Sequence, residues 1–373
     1  MRIGIDTRMY GAESTTGIGV YIKNLTDHLF LIDQKNDYFL FMNDPAYSNF
    51  RPLNNRVNKI KVNLPWYSWS EQIKLPKILL NYRLDLVHFP HFNAPVLYPK
   101  KFLLTIHDIT PKFFPGPKVK KSAIRKFGYS LTINSALRRA KKIITVSNHT
   151  KENLVKNFLI TSKKIETIYL GFDQSFLQVT PKNKLIEFKK KYQLIKPFIF
   201  YLGVWRDHKN LTGLIKAFEI LKKDFNLNLQ LVLGGKPDPA YPEILEAVKK
   251  SEFKNDIVTP GFIASDELPL FYQGAEAFIL PSFCEGFGLV ALESLACGTP
   301  VAASKTTSLP EMLGELALYF DPYDPNDIAK KIYQIVTDYN FRAEVKKNGP
   351  VQLKKFNWQT CAQKTLVIYE DIS

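Results

Sequence analysis

Residues 277–300 read AFILPSFCEGFGLVALESLACGTP, and the reading of this stretch decides the fold. Ala277 to Ser282 is an apolar run that ends in a turn, the pattern of a buried strand. Leu289 to Cys297 has the spacing of a short amphipathic helix, stopped by Gly298-Thr299-Pro300. Glu285-Gly286-Phe287-Gly288 joins the two, so a strand, a glycine turn and a helix start follow one another. Such a turn presents backbone N–H groups and the positive end of a helix dipole, which suits a phosphate. Two carboxylates, Glu285 and Glu293, stand eight residues apart around it. Carboxylates accept hydrogen bonds from hydroxyls, and sugars present many, so the pattern fits a nucleotide-sugar site. A purely structural turn, with Glu293 on a solvated helix face, fits the same pattern.

Working outward, the same alternation fills the chain. Strands are expected at 2–6, 37–42, 57–63, 85–88, 102–106, 143–146 and 166–170, with a helix at 18–31. This gives an α/β, doubly wound first domain over 1–175. Residues 173–196 connect it to a second domain over 176–355. There, strands at 198–203, 228–233, 257–259, 277–280 and 300–303 alternate with helices at 210–223, 241–251, 266–273, 289–297 and 325–338. A last helix, roughly Trp358 to Glu370, lies in a closing segment, 356–373. A length of 373 residues also suggests two domains. Open α/β sheets bind ligands at the carboxyl ends of their strands, which places the expected site in a cleft between the domains.

No run reaches the roughly 18 apolar residues that span a bilayer. The start, Met1-Arg2-Ile3-Gly4-Ile5-Asp6, reads as a strand and not as a signal peptide. Cys284, Cys297 and Cys361 form no C-x-x-C pair, which fits a reducing cytosol and no cysteine-built metal site. The charge is lopsided. Residues 51–150 hold 19 Lys and Arg against 3 Asp and Glu, a net +16 equal to that of the whole chain. An anionic partner is implied. Within this half, residues 117–142 have helical spacing, with Ile124, Phe127, Leu131, Ile133 and Leu137 as a stripe flanked by Lys120, Lys121, Arg125, Lys126, Arg138 and Arg139. An ordinary helix with a solvated basic face is one reading, and docking on anionic lipid headgroups is the other.

The run from Val258 to Glu311 resembles the retaining glycosyltransferases of family 4, with their E-x7-E signature. Other pieces match in order: Gly17-Ile18-Gly19, His107-Asp108, Val146-Ser147, Gly171-Phe172-Asp173 and Gly203 to Asn210. The resemblance covers nearly the whole chain, which is similar to bacterial polysaccharide mannosyltransferases. It implies the GT-B fold, two Rossmann-like domains facing across a cleft, with the C-terminal helix crossing back onto an acceptor-binding first domain. It implies retaining, metal-independent transfer of a hexose, mannose favoured, to a lipid-linked or polysaccharide acceptor. GDP-mannose is the favoured donor and a UDP-sugar the second. No cofactor is implied. The expected place is the cytoplasm, peripheral on the inner face of the plasma membrane through residues 117–142.

The resemblance also assigns residues. Glu285 grips a hydroxyl of the donor sugar and Glu293 the nucleotide ribose. Gly286, Phe287, Gly288 and Leu289 supply N–H groups to donor oxygens, and Ile263 a backbone contact to the base. Gly17 and Gly19 let a first-domain loop approach the diphosphate without a Cβ in the way. Arg206 and Lys209, in a loop at a strand end, match the leaving diphosphate, as fixed cations can. Many relatives carry Arg directly before this Lys, where this chain has His208. His107 is placed against the donor sugar, whereas His88 and His91 read as structural rather than functional. The two glutamates do not resemble the acid and nucleophile of a retaining glycosidase. Front-face attack is implied instead, with the diphosphate taking the acceptor's proton.

Two rival readings are weaker. A nicotinamide-dependent oxidoreductase would need a G-x-G-x-x-G turn after its opening strand, and residues 6–19 are instead a long loop. A nucleic-acid-binding protein would need a recognised motif beside its basic cluster, and no nucleic-acid partner is expected.

Overall fold

Short apolar segments form thirteen strands among the described residues, each paired in parallel with its neighbours. The computed structural model describes residues 1–10 and 17–372. It divides into one unit of Met1–Gly171 with Phe356–Ser373 and another of Phe172–Lys355.

In the first unit the strands are β1 (Arg2–Asp6), β2 (Asp37–Met42), β3 (Val57–Lys61), β4 (Leu86–Phe89), β5 (Phe102–Ile106), β6 (Lys142–Thr145) and β7 (Ile165–Thr167). Their order is β3-β2-β1-β4-β5-β6-β7. Every residue of β4 and β5 is buried, as the unbroken apolar runs of a parallel sheet covered on both faces require. The order reverses between β1 and β4, which leaves a crevice at their carboxyl ends.

The second unit has β8 (Phe198–Leu202), β9 (Gln230–Gly234), β10 (Ile257–Gly261), β11 (Ala277–Leu280), β12 (Val301–Ser304) and β13 (Ala317–Phe320). Their order, β10-β9-β8-β11-β12-β13, reverses between β8 and β11. Phe172 and the turn Gln174–Leu177 go with this unit, where Phe176 packs edge-on against Tyr272 at 5.8 Å.

The closing helix, Trp358–Ile372, belongs to the first unit. Gly171 touches its start so closely that a Cβ there would lie 2.3 Å from Trp358 N. A buried polar chain ties it to the sheet. His88 bonds the Tyr369 hydroxyl through Nδ1 and Thr105 Oγ1 through Nε2, both at 2.8 Å, and Tyr21 adds a 3.1 Å contact to Thr105. Burial holds the His88 pKa near 3, so its ring is neutral. His88 is therefore a structural residue.

Three expectations need correction. Residues 117–142 form two helices, Pro117–Lys120 and Ala123–Arg139, the second capped by Ser122 Oγ accepting from Arg125 N. Only Ile133 and Leu137 of the expected stripe are buried; Ile124, Phe127 and Leu131 are 75%, 70% and 49% exposed. Gly17 and Gly19 lie not in a loop but in the first turn of the helix Gly17–Ile32. Residues 11–16 of the expected loop lie outside the described residues. Strand β3 ends at Lys61, and Asn63 turns left-handed at φ +46°. The helices Trp69–Leu80, Asn148–Phe158 and Tyr339–Leu353 and strand β13 were not among the expected elements. No helix of the described residues is long and apolar enough to cross a membrane.

Candidate active site

Strands β8 and β11 lie side by side, with Ile199 against Ala277 and Phe200 against Phe278. Their two following loops therefore emerge together at the second unit's reversal point. After β8 the chain makes a 3-10 turn, Asp207–Lys209, which Asn210 ends in the left-handed region at φ +55°. Asn tolerates that conformation, and its Nδ2 anchors the turn by donating to Pro322 O at 2.6 Å. After β11 comes the glutamate loop. Phe283 N donates to His208 O at 2.8 Å and fixes one loop against the other.

This backbone bond sets the central contact. Lys209 Nζ donates to Glu285 Oε1 at 2.6 Å, and Ser282 Oγ donates to the same oxygen at 2.6 Å. The Lys209 and Glu285 side chains are only 16% and 11% exposed. Burial alone would raise the Glu285 pKa; the Lys209 charge and the two hydrogen bonds outweigh it and hold the carboxylate below its ordinary value. The site thus keeps an ionised acid and a cation at the mouth of the glycine turn.

Gly288 has φ +84°, and a Cβ on it would also meet Leu309 Cδ2 at 2.7 Å. The positive φ is what favours glycine there. Gly286 and Phe287 are buried, and the helix Leu289–Ala296 starts directly after Gly288. Its N-terminal amides lie where the sequence leads one to expect an anion. Glu293, further along this helix, accepts from the Tyr272 hydroxyl at 2.9 Å. Burial pushes its pKa up to about 7, against the Tyr272 hydrogen bond and with a contribution from Asp173.

The neighbouring strand ends are stripped to backbone. Gly203 N donates to Gly234 O at 3.3 Å, and Gly235 N to Gly261 O at 2.8 Å. A Cβ on Gly235, at φ +108°, would sit 2.0 Å from Gly203 O. Ile263 is buried just past β10, with its side chain over Gly234.

The expected residues do not all meet. Lys209, Glu285 and the turn Gly286 to Leu289 form one cluster, with Glu293 on the same helix. Arg206 stands apart: its side chain is 51% exposed and Nε reaches Asp238 at 3.4 Å. Gly17, Gly19 and His107 belong to the first unit. His107 follows β5; its Nε2 donates to Pro90 O at 3.0 Å, and its ring meets Tyr21 edge-on at 4.8 Å. Burial lowers its pKa, so the ring is neutral with Nδ1 as an acceptor. His91 pairs with the Tyr67 hydroxyl at 3.5 Å, and burial holds its pKa near 3. Ser282, Tyr272 and Ser308, whose Oγ donates to Glu285 O at 3.2 Å, were not foreseen. Ser282 had a legible signal, as the polar residue two positions past the end of strand β11. Tyr272 had none, because its helix reads it as one more core aromatic.

Comparison with known proteins bears on the family and the fold. Residues 15–176 match the model of Glycosyltransferase Family 4, and residues 183–352 that of Glycosyl transferases group 1. The O-antigen chain mannosyltransferase B of Escherichia coli is 30% identical over 297 residues, covering 78% of this chain and 76% of that protein. The serotype-specific mannosyltransferase WbdA of Escherichia coli is 27% identical over 71% of this chain, which spans only 32% of WbdA. Among solved structures, Anabaena HepE in complex with UDP-glucose superposes with a TM-score of 0.78 at 16% identity, each chain 99% covered. That likeness shows the GT-B fold.

Proposed function

The chain belongs to the family 4 glycosyltransferases, and on that premise we propose that it transfers mannose from a nucleotide diphosphate sugar to the glycan of a growing polysaccharide. GDP-mannose is the favoured donor, ahead of a UDP-sugar, and the acceptor is lipid-linked. The observation that carries this reading is the buried Lys209–Glu285 pair beside the Gly286–Gly288 turn. A cation and a helix N-terminus for the diphosphate stand there next to an ionised acceptor for a sugar hydroxyl.

The roles follow from the chemistry of each group. Lys209 and the amides of Gly286 to Leu289 bind the diphosphate and stabilise the charge that grows on it as the bond to the sugar C1 breaks. Lys209 supplies this charge without a metal. Glu285 holds a sugar hydroxyl and Glu293 the ribose. Arg206, free to swing from an exposed position, adds to the diphosphate contacts, and Ile263 marks the base. His107, neutral with an acceptor Nδ1, receives a sugar hydroxyl. The new bond forms between an acceptor oxygen and C1 on the face the diphosphate leaves, and a diphosphate oxygen takes the acceptor's proton. Retention results with no carboxylate nucleophile.

Attachment to a membrane fits the same work. The helix Ala123–Arg139 exposes Ile124, Phe127 and Leu131 among exposed Lys121, Arg125 and Lys126. We infer a peripheral contact with the anionic inner face of the plasma membrane.

The test is transfer from GDP-mannose and from UDP-glucose to a mannose-terminated oligosaccharide, with the product anomer read by NMR and EDTA present in a parallel reaction. An α product from GDP-mannose, formed equally with EDTA, is the expected result. Glu285→Gln should abolish transfer with the melting temperature little changed. A folded Glu285→Gln enzyme with wild-type turnover would remove the residue from the site.

A further inference from the structure

The segment that carries Lys209, Asp207–Lys209, is a single 3-10 turn, a form whose own hydrogen-bond geometry is poor. It is tied on either side of Lys209 to a different loop. His208 O accepts from Phe283 N at 2.8 Å, which joins the turn to the loop after β11. Asn210, itself buried, donates from Nδ2 to Pro322 O at 2.6 Å, which joins it to the loop after β13.

Those two loops also meet each other. The side chains of Phe283 and Tyr323 stack, with 4.6 Å between ring centroids and 23° between planes. The contacts therefore close a circuit: Asn210 to Pro322, its neighbour Tyr323 to Phe283, and Phe283 back to His208. Lys209 lies inside that circuit. Glu285, whose Oε1 accepts from Lys209 Nζ at 2.6 Å, is two residues beyond Phe283. Closing the circuit fixes cation and acid relative to one another and removes freedom that ligand binding would otherwise have to remove.

Tyr323 is the member whose place needs explaining. It is 71% exposed, so its ring adds little to a core. Its backbone is fixed separately, Tyr323 N donating to Asp321 Oδ1 at 3.0 Å. The ring's contact is instead with Phe283, on another loop of the site. We propose that Tyr323 is a positioning residue. By stacking on Phe283 it holds the Lys209 turn against the glutamate loop, in place for the diphosphate of the donor. The assignment of the diphosphate rests on the donor reading above.

The test is calorimetry of GDP and of guanosine with the full chain, beside hydrogen exchange of the unliganded protein. Tyr323→Ala should weaken GDP binding about threefold to tenfold, the worth of an aromatic pair. Guanosine binding and the melting temperature should stay near wild type. Tyr323→Phe keeps the stack and should bind GDP as the wild type does. In a Lys209→Ala background Tyr323→Ala should add no further loss, because a residue that acts through Lys209 has nothing left to position. The Lys209 and Asn210 amides, which donate to Arg206 O at 2.9 Å and Asp207 O at 3.1 Å, should exchange faster in Tyr323→Ala. Unchanged exchange, wild-type GDP affinity in Tyr323→Ala, equal losses for Tyr323→Phe and Tyr323→Ala, or full additivity with Lys209→Ala overturns the proposal. Failure of GDP to bind the wild type instead overturns the donor reading, and the exchange of the two amides then decides alone whether Tyr323 holds the turn.

Discussion

The Tyr272 hydroxyl donates to Glu293 Oε2 at 2.9 Å, so the second acid of the motif sits against a buried phenol. Burial raises the Glu293 pKa from 4.5 to about 7, and Tyr272 opposes the rise.

A pH dependence follows with a definite sign. Between about 4.5 and about 7 the folded protein holds a proton on Glu293 that the unfolded chain has lost. The stability contributed by Glu293 is thus present at low pH and falls as the pH rises through that window. Ribose hydroxyls donate to the ionised form, so nucleotide binding should release a proton and strengthen as the pH approaches the upper value. Calorimetry of GDP just below neutrality, in buffers of different ionisation enthalpy, should show this release, and Glu293→Gln should abolish it. Proton release persisting in Glu293→Gln would assign it elsewhere.

Lys209 makes a sharper distinction between ligands. Its Nζ lies 2.6 Å from Glu285 Oε1, and a phosphate placed there would share the cation. Lys209→Ala should weaken GDP binding by about 1.5–3 kcal/mol, the worth of a hydrogen bond to a charged group. Guanosine binding should change far less. Equal losses for GDP and guanosine would mean that the lysine does not read phosphate.

Much of this was legible because it is local. Strands β8 and β11 are unbroken apolar runs, and Gly286 and Gly288 punctuate the turn that follows. What escaped depends on distant partners or on phase. Arg8 meets Glu71 across 63 positions, and Tyr272 meets Glu293 across 21, with no periodicity to announce either. The expected stripe of 117–142 failed on phase. Ile124 and Ile133 are nine positions apart, about two and a half turns at 3.6 residues per turn, so they lie on opposite faces. Ile133 went to the core and Ile124 to the surface.

The closing helix should depend on one hydroxyl. Tyr369 bonds His88 Nδ1 at 2.8 Å in a fully buried setting. Tyr369→Phe removes that bond and leaves a buried ring nitrogen without a partner, a cost of about 1–3 kcal/mol. Urea unfolding should show the lower midpoint, with GDP affinity little changed because the second unit keeps its own site. An unaltered midpoint would show that the helix is held by its apolar contacts alone.

Membrane attachment gives the last expectation. Ile124, Phe127 and Leu131 share one exposed face of the helix Ala123–Arg139, and Lys120, Lys121, Arg125 and Lys126 are exposed around its start. Each Lys or Arg near an anionic surface contributes roughly 1 kcal/mol, screened by salt within about 8 Å at physiological ionic strength. The exposed apolar side chains add insertion to that attraction. The protein should therefore float with vesicles containing anionic lipid, bind neutral vesicles little, and be released by high salt. Replacing Lys120, Lys121, Arg125 and Lys126 with Glu should abolish flotation and spare GDP binding. Phe127→Ser should weaken flotation even at low salt, which charge alone would not explain. If the Glu variant floats like wild type, this face is merely solvated, and the basic half of the chain serves a soluble anionic acceptor instead.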